Sequence, residues 1–359
     1  MRHEQRSSAA TPHVIQGEPP LRKQPRPRCA LCGHFSGVLH TGLHDRLFGA
    51  AGTWDLVSCT NPGCGLVWLD PMPSDRELGK AYEAYPTHAA TAPRATPLNR
   101  MYGAIRDGYL KRRYGYHQGT GPRWLRHLAP LVWLHPAGPE RFGASAMFLR
   151  APSPGARLLD IGCGNGMMLL RLQALGWDAE GIDADAEAVK AAQASGAHAR
   201  HGTLAAGDYP NDYFDAILVN HVLEHVPDPL QLLTYCRQIL RPGGSLVVIT
   251  PNTDSWGCRR FGRNWRGFEC PRHLYLFNVR SLGCTARKAG LIPSTLNTLA
   301  KGADHILSMS RFLERHENTG TPVADRKYWV SGMAYLTGER LLRLWNTSVG
   351  EELLMIATK

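Results

Sequence analysis

Residues 158–166 read Leu-Leu-Asp-Ile-Gly-Cys-Gly-Asn-Gly, a short apolar run followed by a turn with a glycine at every second position. An acidic residue, Asp160, stands ahead of the first glycine. Glycines lack the Cβ atoms that would hold a ligand away from the backbone where the chain turns from strand to helix. The stretch therefore predicts a strand, turn and helix that bind a flat or extended cofactor.

The spacing of the glycines separates two kinds of cofactor. A dinucleotide fold usually shows Gly-x-Gly-x-x-Gly facing a pyrophosphate, whereas here Gly166 comes one residue early and Asp160 would repel that anion. S-adenosylmethionine carries an ammonium and a sulfonium instead, which suit a carboxylate. A second carboxylate, Asp183, ends the next predicted strand, where it could accept both ribose hydroxyls. An ordinary glycine turn in a parallel sheet is the alternative.

Later segments continue the alternation of strands and helices. Residues 214–220 form an apolar run with β-branched residues, and residues 230–240 show the helical spacing of apolar side chains. An Arg-Pro-Gly-Gly turn then leads into another apolar run at residues 246–250. Short strands that alternate with helices predict a doubly wound α/β sheet.

These motifs, in this order, resemble the class I S-adenosylmethionine-dependent methyltransferases. The resemblance rests on residues 160–166, Asp183, residues 214–215, residues 221–229 (His-Val-Leu-Glu-His-Val-Pro-Asp-Pro) and residues 240–244 (Leu-Arg-Pro-Gly-Gly). It implies a seven-stranded, mostly parallel, Rossmann-like sheet with helices on both faces and an antiparallel final strand.

The same resemblance implies a set of cofactor residues. The glycines would line the methionine part, Asp183 the ribose, and Leu204 the adenine edge through its backbone, although Thr203-Leu204 replaces the family's usual acidic residue. The residues that we assign to the cofactor are Asp160, Gly162, Gly164, Gly166, Asp183, Leu204 and Asn220.

Four cysteines upstream form a second pattern. Cys29-Ala-Leu-Cys32-Gly and Cys59-Thr-Asn-Pro-Gly-Cys64-Gly are two knuckles, in each of which a tight turn lets two thiolates converge on one tetrahedral ion. We expect a zinc ribbon with one structural Zn²⁺, although the second knuckle has four intervening residues rather than two. His34 could replace one ligand. Disulfides or free thiols are the alternative, but no signal peptide precedes the cysteines and the remaining five are scattered.

A glycine-, arginine- and aromatic-rich segment follows the last apolar run, and we place a substrate loop at residues 252–277. In open α/β sheets, ligands bind at the carboxyl ends of the strands. The block Trp-x-Gly-x-x-x-Pro-Arg-His-Leu resembles a branch of ubiquinone-biosynthesis-like methyltransferases that carry an N-terminal zinc ribbon. We therefore predict that Trp265 and Arg272 contact the acceptor, with Arg272 holding a carboxylate, phosphate or phenolate.

Three histidines are candidate general bases. Methyl transfer to a hydroxyl needs alignment with the methyl carbon and removal of one proton, and the unperturbed pKa of histidine is near neutral. Our first choice is His273 and our second is His221, followed by His225, with Glu224 or Glu269 as an orienting partner. The cluster of His221, Glu224 and His225 could also share a divalent metal ion, although a helix-entry turn explains it equally well.

Composition limits the classes of protein. The chain has 359 residues, 43% of them hydrophobic and 20% charged, which is a globular profile. No apolar run is long enough for a transmembrane segment, so we expect a cytoplasmic protein. The net charge of +11 is the sum of +4 in residues 1–28 and +7 in residues 100–150. The near-neutral remainder makes nucleic acid an improbable partner. We predict a basic amphipathic helix at residues 101–117. It is either a solvated helix that connects two parts of the chain, or a helix that contacts an anionic group of the substrate or a membrane surface.

We divide the chain into a disordered basic arm (1–28), the zinc ribbon (29–75), a helical linker or cap (76–150) and a methyltransferase domain (151–359). The predicted function is methyl transfer from S-adenosylmethionine to a small-molecule hydroxyl, in natural-product, quinone or surface-glycan metabolism. One alternative is a zinc-ribbon RNA methyltransferase of the rRNA type. Against it, Asn-His-Val-Leu stands where enzymes that methylate planar nitrogens often have Asn-Pro-Pro-Tyr. The other alternative is a non-catalytic binding scaffold. No sequence pattern indicates the oligomeric state.

Overall fold

The computed structural model describes residues 21–82, 96–117, 123–316 and 326–359. Its first part is made of short strands: β1 (Lys23–Gln24), β2 (Ser36–Leu43), β3 (Trp54–Cys59), β4 (Val67–Leu69) and β5 (Met72–Pro73). β2, β3 and β4 pair antiparallel in that order, and β1 pairs with β5. A 3-10 helix follows at Asp75–Tyr82.

Residues 21–28 are folded against this part, whereas we expected a disordered arm that reached residue 28. β1 pairs antiparallel with β5, Leu21 is buried, and the backbone N–H of Arg26 donates to Asp70 at 2.7 Å. The polar, proline-rich composition predicted disorder, but these long-range contacts order the segment. Residues 1–20 lie outside the described residues.

Helices fill the next part. α1 (Pro97–Tyr114) begins after Thr96, whose side chain accepts a hydrogen bond from the backbone N–H of Asn99 and so caps the helix. A 3-10 helix (Arg123–Leu134) and α2 (Gly138–Ala144) follow. The helix predicted at residues 101–117 is confirmed, but it begins four residues earlier and ends three residues earlier, before Gly115.

The remaining chain forms a seven-stranded sheet with helices between its strands. The strands are β6 (Arg157–Ile161), β7 (Asp178–Asp183), β8 (Ala199–His201), β9 (Phe214–Asn220), β10 (Leu240–Pro251), β12 (Ile292–Leu299) and β13 (Glu352–Thr358). The helices are α3 (Met167–Ala174), α4 (Ala186–Ala194), α5 (Pro229–Ile239), α6 (Trp256–Phe261), α7 (Val279–Lys288), α8 (Ala303–Arg315) and α9 (Arg326–Trp345).

The order of the strands is β12-β13-β10-β9-β6-β7-β8. The five strands from β6 to β10 run parallel, and β13 runs antiparallel to both of its neighbours. Apolar side chains of β6, β9 and β10 are buried on both faces of this sheet, which is why these strands appear in the sequence as continuous apolar runs. The predicted α/β class, the doubly wound sheet and the antiparallel last strand are confirmed.

The chain reverses its direction of winding at β6. From β6 it proceeds outward through β7 and β8, then crosses back to β9 on the other side. A crevice opens at the carboxyl ends of the strands at such a switch point. The residues that end β6, β7, β8 and β9 therefore meet at one edge.

The segment predicted as a substrate loop, residues 252–277, is largely folded. It contains α6, two 3-10 turns (Gly262–Asn264 and Arg266–Phe268) and the strand β11 (Tyr275–Leu276). β11 pairs antiparallel with β4 and completes a four-stranded sheet of order β11-β4-β3-β2. The segment that follows β10 of the seven-stranded sheet thus contributes one strand to the cysteine-bearing sheet.

In the part of the chain that the structure describes, no helix combines the length and the apolar character needed to cross a bilayer.

Candidate functional site

The structure places the predicted cofactor residues at one edge of the seven-stranded sheet. Asp160 lies in β6, Asp183 ends β7 and Asn220 ends β9. Leu204 follows β8 and its side chain is buried. Because these strands are parallel neighbours, their carboxyl ends share this edge.

The turn after β6 has backbone conformations that favour glycine. Gly162 and Gly164 have φ values of 73° and 54°. A Cβ atom at Gly164 would meet no other atom within 4 Å, so the space next to this residue is open to a ligand. The N–H of Gly164 donates to Asp183 Oδ2 at 2.8 Å, which ties the turn to the end of β7.

Gly166 allows close packing between helices. It is buried, and a Cβ atom there would lie 2.8 Å from the Cβ atoms of Ala192 and Ala197. The missing side chain therefore allows α3 to pack closely against α4 and the residues after it. This packing explains the glycine at position 166 independently of its predicted contact with the methionine part of the cofactor.

Two carboxylates lie close together at this edge. Asp183 accepts hydrogen bonds from the backbone N–H groups of Gly164 and Asp185, both at 2.8 Å. Asp160 is only 4% exposed, and none of the described residues donates a hydrogen bond to its carboxylate. Burial and the charge of Asp183 raise the pKa of Asp160 to about 7. A cation bound here would lower this electrostatic cost.

Asn220 adds an unused hydrogen-bond acceptor to the same edge. Its Oδ1 atom is buried and has no hydrogen-bond partner among the described residues. A buried polar atom without a partner costs about 1–3 kcal/mol, and such atoms are rare in folded proteins. The edge therefore fits a ligand that brings both positive charge and hydrogen-bond donors.

His221, directly after β9, is held between two carboxylates. Its Nδ1 lies 3.2 Å from Glu224 Oε1, and its Nε2 lies 2.7 Å from Glu352 Oε1. Burial would lower the pKa of His221, but the hydrogen bonds to Glu224 and Glu352 raise it to about 9. Because carboxylates accept hydrogen bonds, this arrangement favours a protonated ring with both N–H groups occupied. It therefore disfavours the role of general base that we predicted for His221.

His225 and His273 form a separate cluster with Glu224. The two rings lie 4.6 Å apart, and the three residues offer ligand atoms within 4.8 Å of one another. Burial, followed by the charge of His225, lowers the pKa of His273 to about 4, so this ring is neutral at pH 7. The sequence analysis grouped Glu224 and His225 with His221 as a candidate metal site. In the structure, they are grouped with His273 instead.

Hydrogen bonds determine which ring nitrogens in this cluster keep a lone pair. Nδ1 of His273 lies 2.7 Å from the carbonyl of Gly267, and Nδ1 of His225 lies 3.0 Å from the carbonyl of Arg272 and 2.8 Å from the hydroxyl of Tyr82. A carbonyl only accepts, so Nδ1 of the neutral His273 donates and its Nε2 keeps the lone pair. This nitrogen, a ring nitrogen of His225 and the carboxylate of Glu224 could together bind a divalent metal ion.

Arg272 does not offer its guanidinium to an acceptor, contrary to our prediction. Its side chain is 1% exposed and contacts Asp45 Oδ2 at 2.8 Å and Glu269 Oε1 at 3.1 Å. It also donates to the carbonyl of Ala81 at 2.9 Å. These partners come from before and within the loop, so Arg272 fastens the loop to the N-terminal part of the chain.

Trp265 is used in the same way. It is 2% exposed, and its Nε1–H donates to Glu351 Oε2 at 2.8 Å. The polar Nε1–H of Trp265 is therefore occupied within the protein, which leaves only the face of the ring for the predicted contact with an acceptor.

The sequence analysis missed three residues beside His221. Lys301 Nζ lies 3.1 Å from Glu352 Oε1, and the hydroxyl of Thr250 donates to Glu224 Oε2 at 2.9 Å. Glu352 Oε2 is buried without a hydrogen-bond partner among the described residues. These side chains meet because β13 lies between β10 and β12, and no local pattern in the sequence signals those pairings.

The four predicted zinc ligands converge. The Sγ atoms of Cys29 and Cys64 lie 3.7 Å apart, and those of Cys32 and Cys59 lie 3.3 Å apart. All four sulfurs lie within 4.8 Å of one another, and none of them forms a disulfide. A tetrahedral Zn²⁺ with Zn–S bonds of about 2.3 Å requires S···S separations of about 3.8 Å. The cluster therefore fits a metal ion without His34.

Comparison with known proteins agrees with this architecture. Residues 119–293 match the family described as Methyltransferase domain. The chain contains a methyltransferase domain. This domain includes all seven predicted cofactor residues and the three candidate histidines, whereas the cysteine cluster lies outside the match.

Two curated relatives are ubiquinone biosynthesis O-methyltransferases. The protein from Cereibacter sphaeroides is 36% identical over 171 residues, which are 40% of this chain and 64% of that protein. The protein from Xanthomonas campestris is 35% identical over 141 residues, which are 36% of this chain and 56% of that protein. The match to this methyltransferase domain thus spans only part of each relative. An S-adenosylmethionine-dependent methyltransferase from Mesorhizobium loti has a TM-score of 0.43 at 16% identity and covers 61% of this chain and 97% of its own.

Proposed function

We propose that this protein transfers the methyl group of S-adenosylmethionine to a hydroxyl oxygen of a small-molecule acceptor. The observation that supports the cofactor is the acidic edge of the sheet, where Asp160 and Asp183 lie together and no described residue donates to Asn220 Oδ1. The ammonium and sulfonium of S-adenosylmethionine supply the missing positive charge, and the ammonium supplies donors. The names of the two curated relatives support oxygen as the acceptor atom.

In this proposal each part of the edge has one task. Asp183 accepts hydrogen bonds from the ribose hydroxyls, Gly162 and Gly164 lie against the methionine part, and the backbone of Leu204 contacts the adenine. S-adenosylmethionine supplies an electrophilic methyl carbon. The protein then has to align the acceptor oxygen with that carbon and receive one proton.

Calorimetric titration with S-adenosylmethionine tests the proposal. We expect saturable binding to the wild type and a loss of about tenfold to a hundredfold in affinity for Asp183→Ala, because hydrogen bonds to a carboxylate contribute about 1.5–3 kcal/mol. Asp178→Ala is the matched control, since Asp178 is an exposed aspartate at the opposite end of the same strand. A folded wild type that binds no cofactor at millimolar concentration would contradict the proposal.

We propose His273 as the proton acceptor. It is neutral at pH 7 and keeps a lone pair on Nε2, whereas His221 carries a proton between its two carboxylates. The same lone pair could instead bind a divalent ion with Glu224 and His225. The two roles exclude each other, because one lone pair cannot hold both a proton and a metal ion.

Methyl transfer from labelled S-adenosylmethionine to a small-molecule extract distinguishes these roles. His273→Ala is expected to depress turnover and to leave cofactor affinity intact, and His198→Ala, at an exposed histidine, serves as control. A requirement for added Mg²⁺ or Mn²⁺ would assign Nε2 to the metal, and turnover without it would assign Nε2 to the proton. Unchanged turnover of His273→Ala would remove the residue from the chemistry. Label in RNA would favour the RNA methyltransferase alternative.

We also propose that Cys29, Cys32, Cys59 and Cys64 bind one structural Zn²⁺. Four convergent thiols without a disulfide support the ion, because thiolates are preferred ligands of zinc. The ion would hold the two knuckles at the end of a sheet to which β11 also belongs.

A further inference from the structure

A cavity of about 440 Å³ lies between the N-terminal sheet and the segment after β10. Residues 43–47 form one side, and residues 263–272 with the end of α8 form the other. The apolar part of its wall consists of Leu43, Leu47, Trp265, Phe268 and Leu313. This volume is within the range of about 300–1,000 Å³ that small-molecule sites occupy. None of the predicted cofactor residues is among its described lining residues.

The carboxylates that line this cavity are already paired with arginines. The pairs are Asp45–Arg272 at 2.8 Å, Glu269–Arg272 at 3.1 Å and Glu314–Arg260 at 2.8 Å, and Glu269 also pairs with Arg266. The negative charges in the wall are therefore compensated within the protein.

Arg263 differs from these paired arginines. Its side chain is exposed, lines the cavity, and forms no ion pair or hydrogen bond with any described residue. On the other side of the cavity, Arg46 donates to the carbonyl of Leu313 at 3.0 Å and to Asn264 Oδ1 at 2.8 Å, which are uncharged acceptors. The lining includes four arginines and three carboxylates, so positive charge is in excess.

Neighbouring histidines respond to this excess charge. Burial and the charge of Arg263 lower the pKa of His40, and burial and the charge of Arg266 lower the pKa of His305. An anion that entered the cavity would reduce the repulsion.

We propose that this cavity binds a small molecule with a phosphate or carboxylate group held by Arg263 and an apolar or planar portion packed against Leu43 and Leu47. The planar fork of a guanidinium matches the geometry of both anions. The molecule is the acceptor itself or a separate small anion. In the first case the inference rests on the proposed function. Glu269 supports that case, because this residue lines the cavity and its Oε2 lies 3.7 Å from Nε2 of His273.

Titration of the full-length protein with inorganic pyrophosphate and with citrate, at constant ionic strength, tests the site. We expect saturable binding in the millimolar range or tighter, weakened about tenfold or more by Arg263→Gln and less by Arg263→Lys, which keeps the charge but loses the fork. The matched control is Arg259→Gln. It removes the same charge from an exposed arginine of α6 that does not line the cavity. No saturable binding by the wild type, or equal weakening by both glutamine variants, would overturn the proposal.

A second measurement identifies the source of the anion. Label transferred from S-adenosylmethionine to a small-molecule extract is applied to an anion exchanger. A retained product whose formation falls in Arg263→Gln but not in Arg259→Gln identifies an anionic acceptor. A product that is not retained and forms at the wild-type rate in Arg263→Gln, with pyrophosphate binding still dependent on Arg263, identifies a separate anion. A protein that binds no S-adenosylmethionine refutes the proposed function alone, because the pyrophosphate titration decides the cavity independently.

Discussion

The turn after β6 and the segment after β10 leave the same edge of one sheet, yet their sequences reveal their roles to different extents. The turn acts through its backbone conformation, and Gly162 and Gly164 have the positive φ values that glycine adopts readily. In the segment, Arg272 pairs with Asp45, which is 227 residues away, and Trp265 donates to Glu351, which is 86 residues away. A motif that acts through local backbone can be recognised in the sequence. The role of a side chain depends on the distant partner that folding brings to it.

Loss of zinc should give the largest effect. It tests the two cysteine knuckles, which are the second motif that is defined locally in the sequence. We expect about one Zn²⁺ per chain, and a large loss of zinc content and of thermal stability when Cys29→Ser and Cys32→Ser are combined, because metal binding contributes about 10–16 kcal/mol to isolated zinc-finger peptides. Metal analysis and thermal unfolding measure the two losses. Cys284→Ser, outside the cluster, should change neither. A wild type that is stable without zinc would show that the spacing of the four cysteines does not predict a structural zinc site.

A substitution of Arg272 tests the segment after β10. Arg272→Met leaves the buried carboxylates of Asp45 and Glu269 without this partner, so we expect the free energy of unfolding to fall by about 3–5 kcal/mol. Denaturant titration measures the change. Arg259→Met, at an exposed position, should stay within about 0.5 kcal/mol of the wild type. If Arg272→Met kept its stability and raised only the KM for the acceptor, the predicted substrate contact would be right and the contrast between the two regions would disappear.

Much of the fold could be predicted because its strands and helices are encoded locally. The apolar run at residues 214–220 coincides with β9, and the helical spacing at residues 230–240 coincides with α5. The pairing of β11 with β4 could not be predicted, since it joins strands about 200 residues apart through only two residue pairs. The folded state of residues 21–28 could not be predicted either, because it also depends on long-range contacts, with β5 and with Asp70.

The candidate site likewise contains residues whose positions could be predicted from the sequence and residues whose contacts could not. The position of Asp183 and Asn220 follows from the order of parallel strands, which the motifs imply. The partnership of His273 with Glu224 depends on backbone hydrogen bonds from Leu274 and Tyr275 to the carbonyl of Glu224, at 2.8 and 3.2 Å. No pattern near either residue signals these bonds, so the sequence placed His221 in the metal trio instead.

His221 should show the smallest effect, as a pH dependence of stability. Its pKa rises from 6.5 to about 9 on folding, so the folded state binds this proton more tightly than the unfolded state. The stabilisation is fully present below the unfolded pKa and is lost as the pH rises through the folded pKa of about 9. His221→Asn should therefore destabilise the protein more at about pH 6 than at about pH 9.5, and partial exposure of the ring reduces the difference.

Denaturant titrations at several pH values measure this difference, with His198→Asn as the control at an exposed histidine. A destabilisation that is independent of pH would mean that His221 stays neutral between Glu224 and Glu352. A neutral His221 could accept a proton from the acceptor hydroxyl. The histidine after β9 would then regain the role that its position in the sequence suggested, and this side chain would belong with the motifs that can be interpreted from sequence alone.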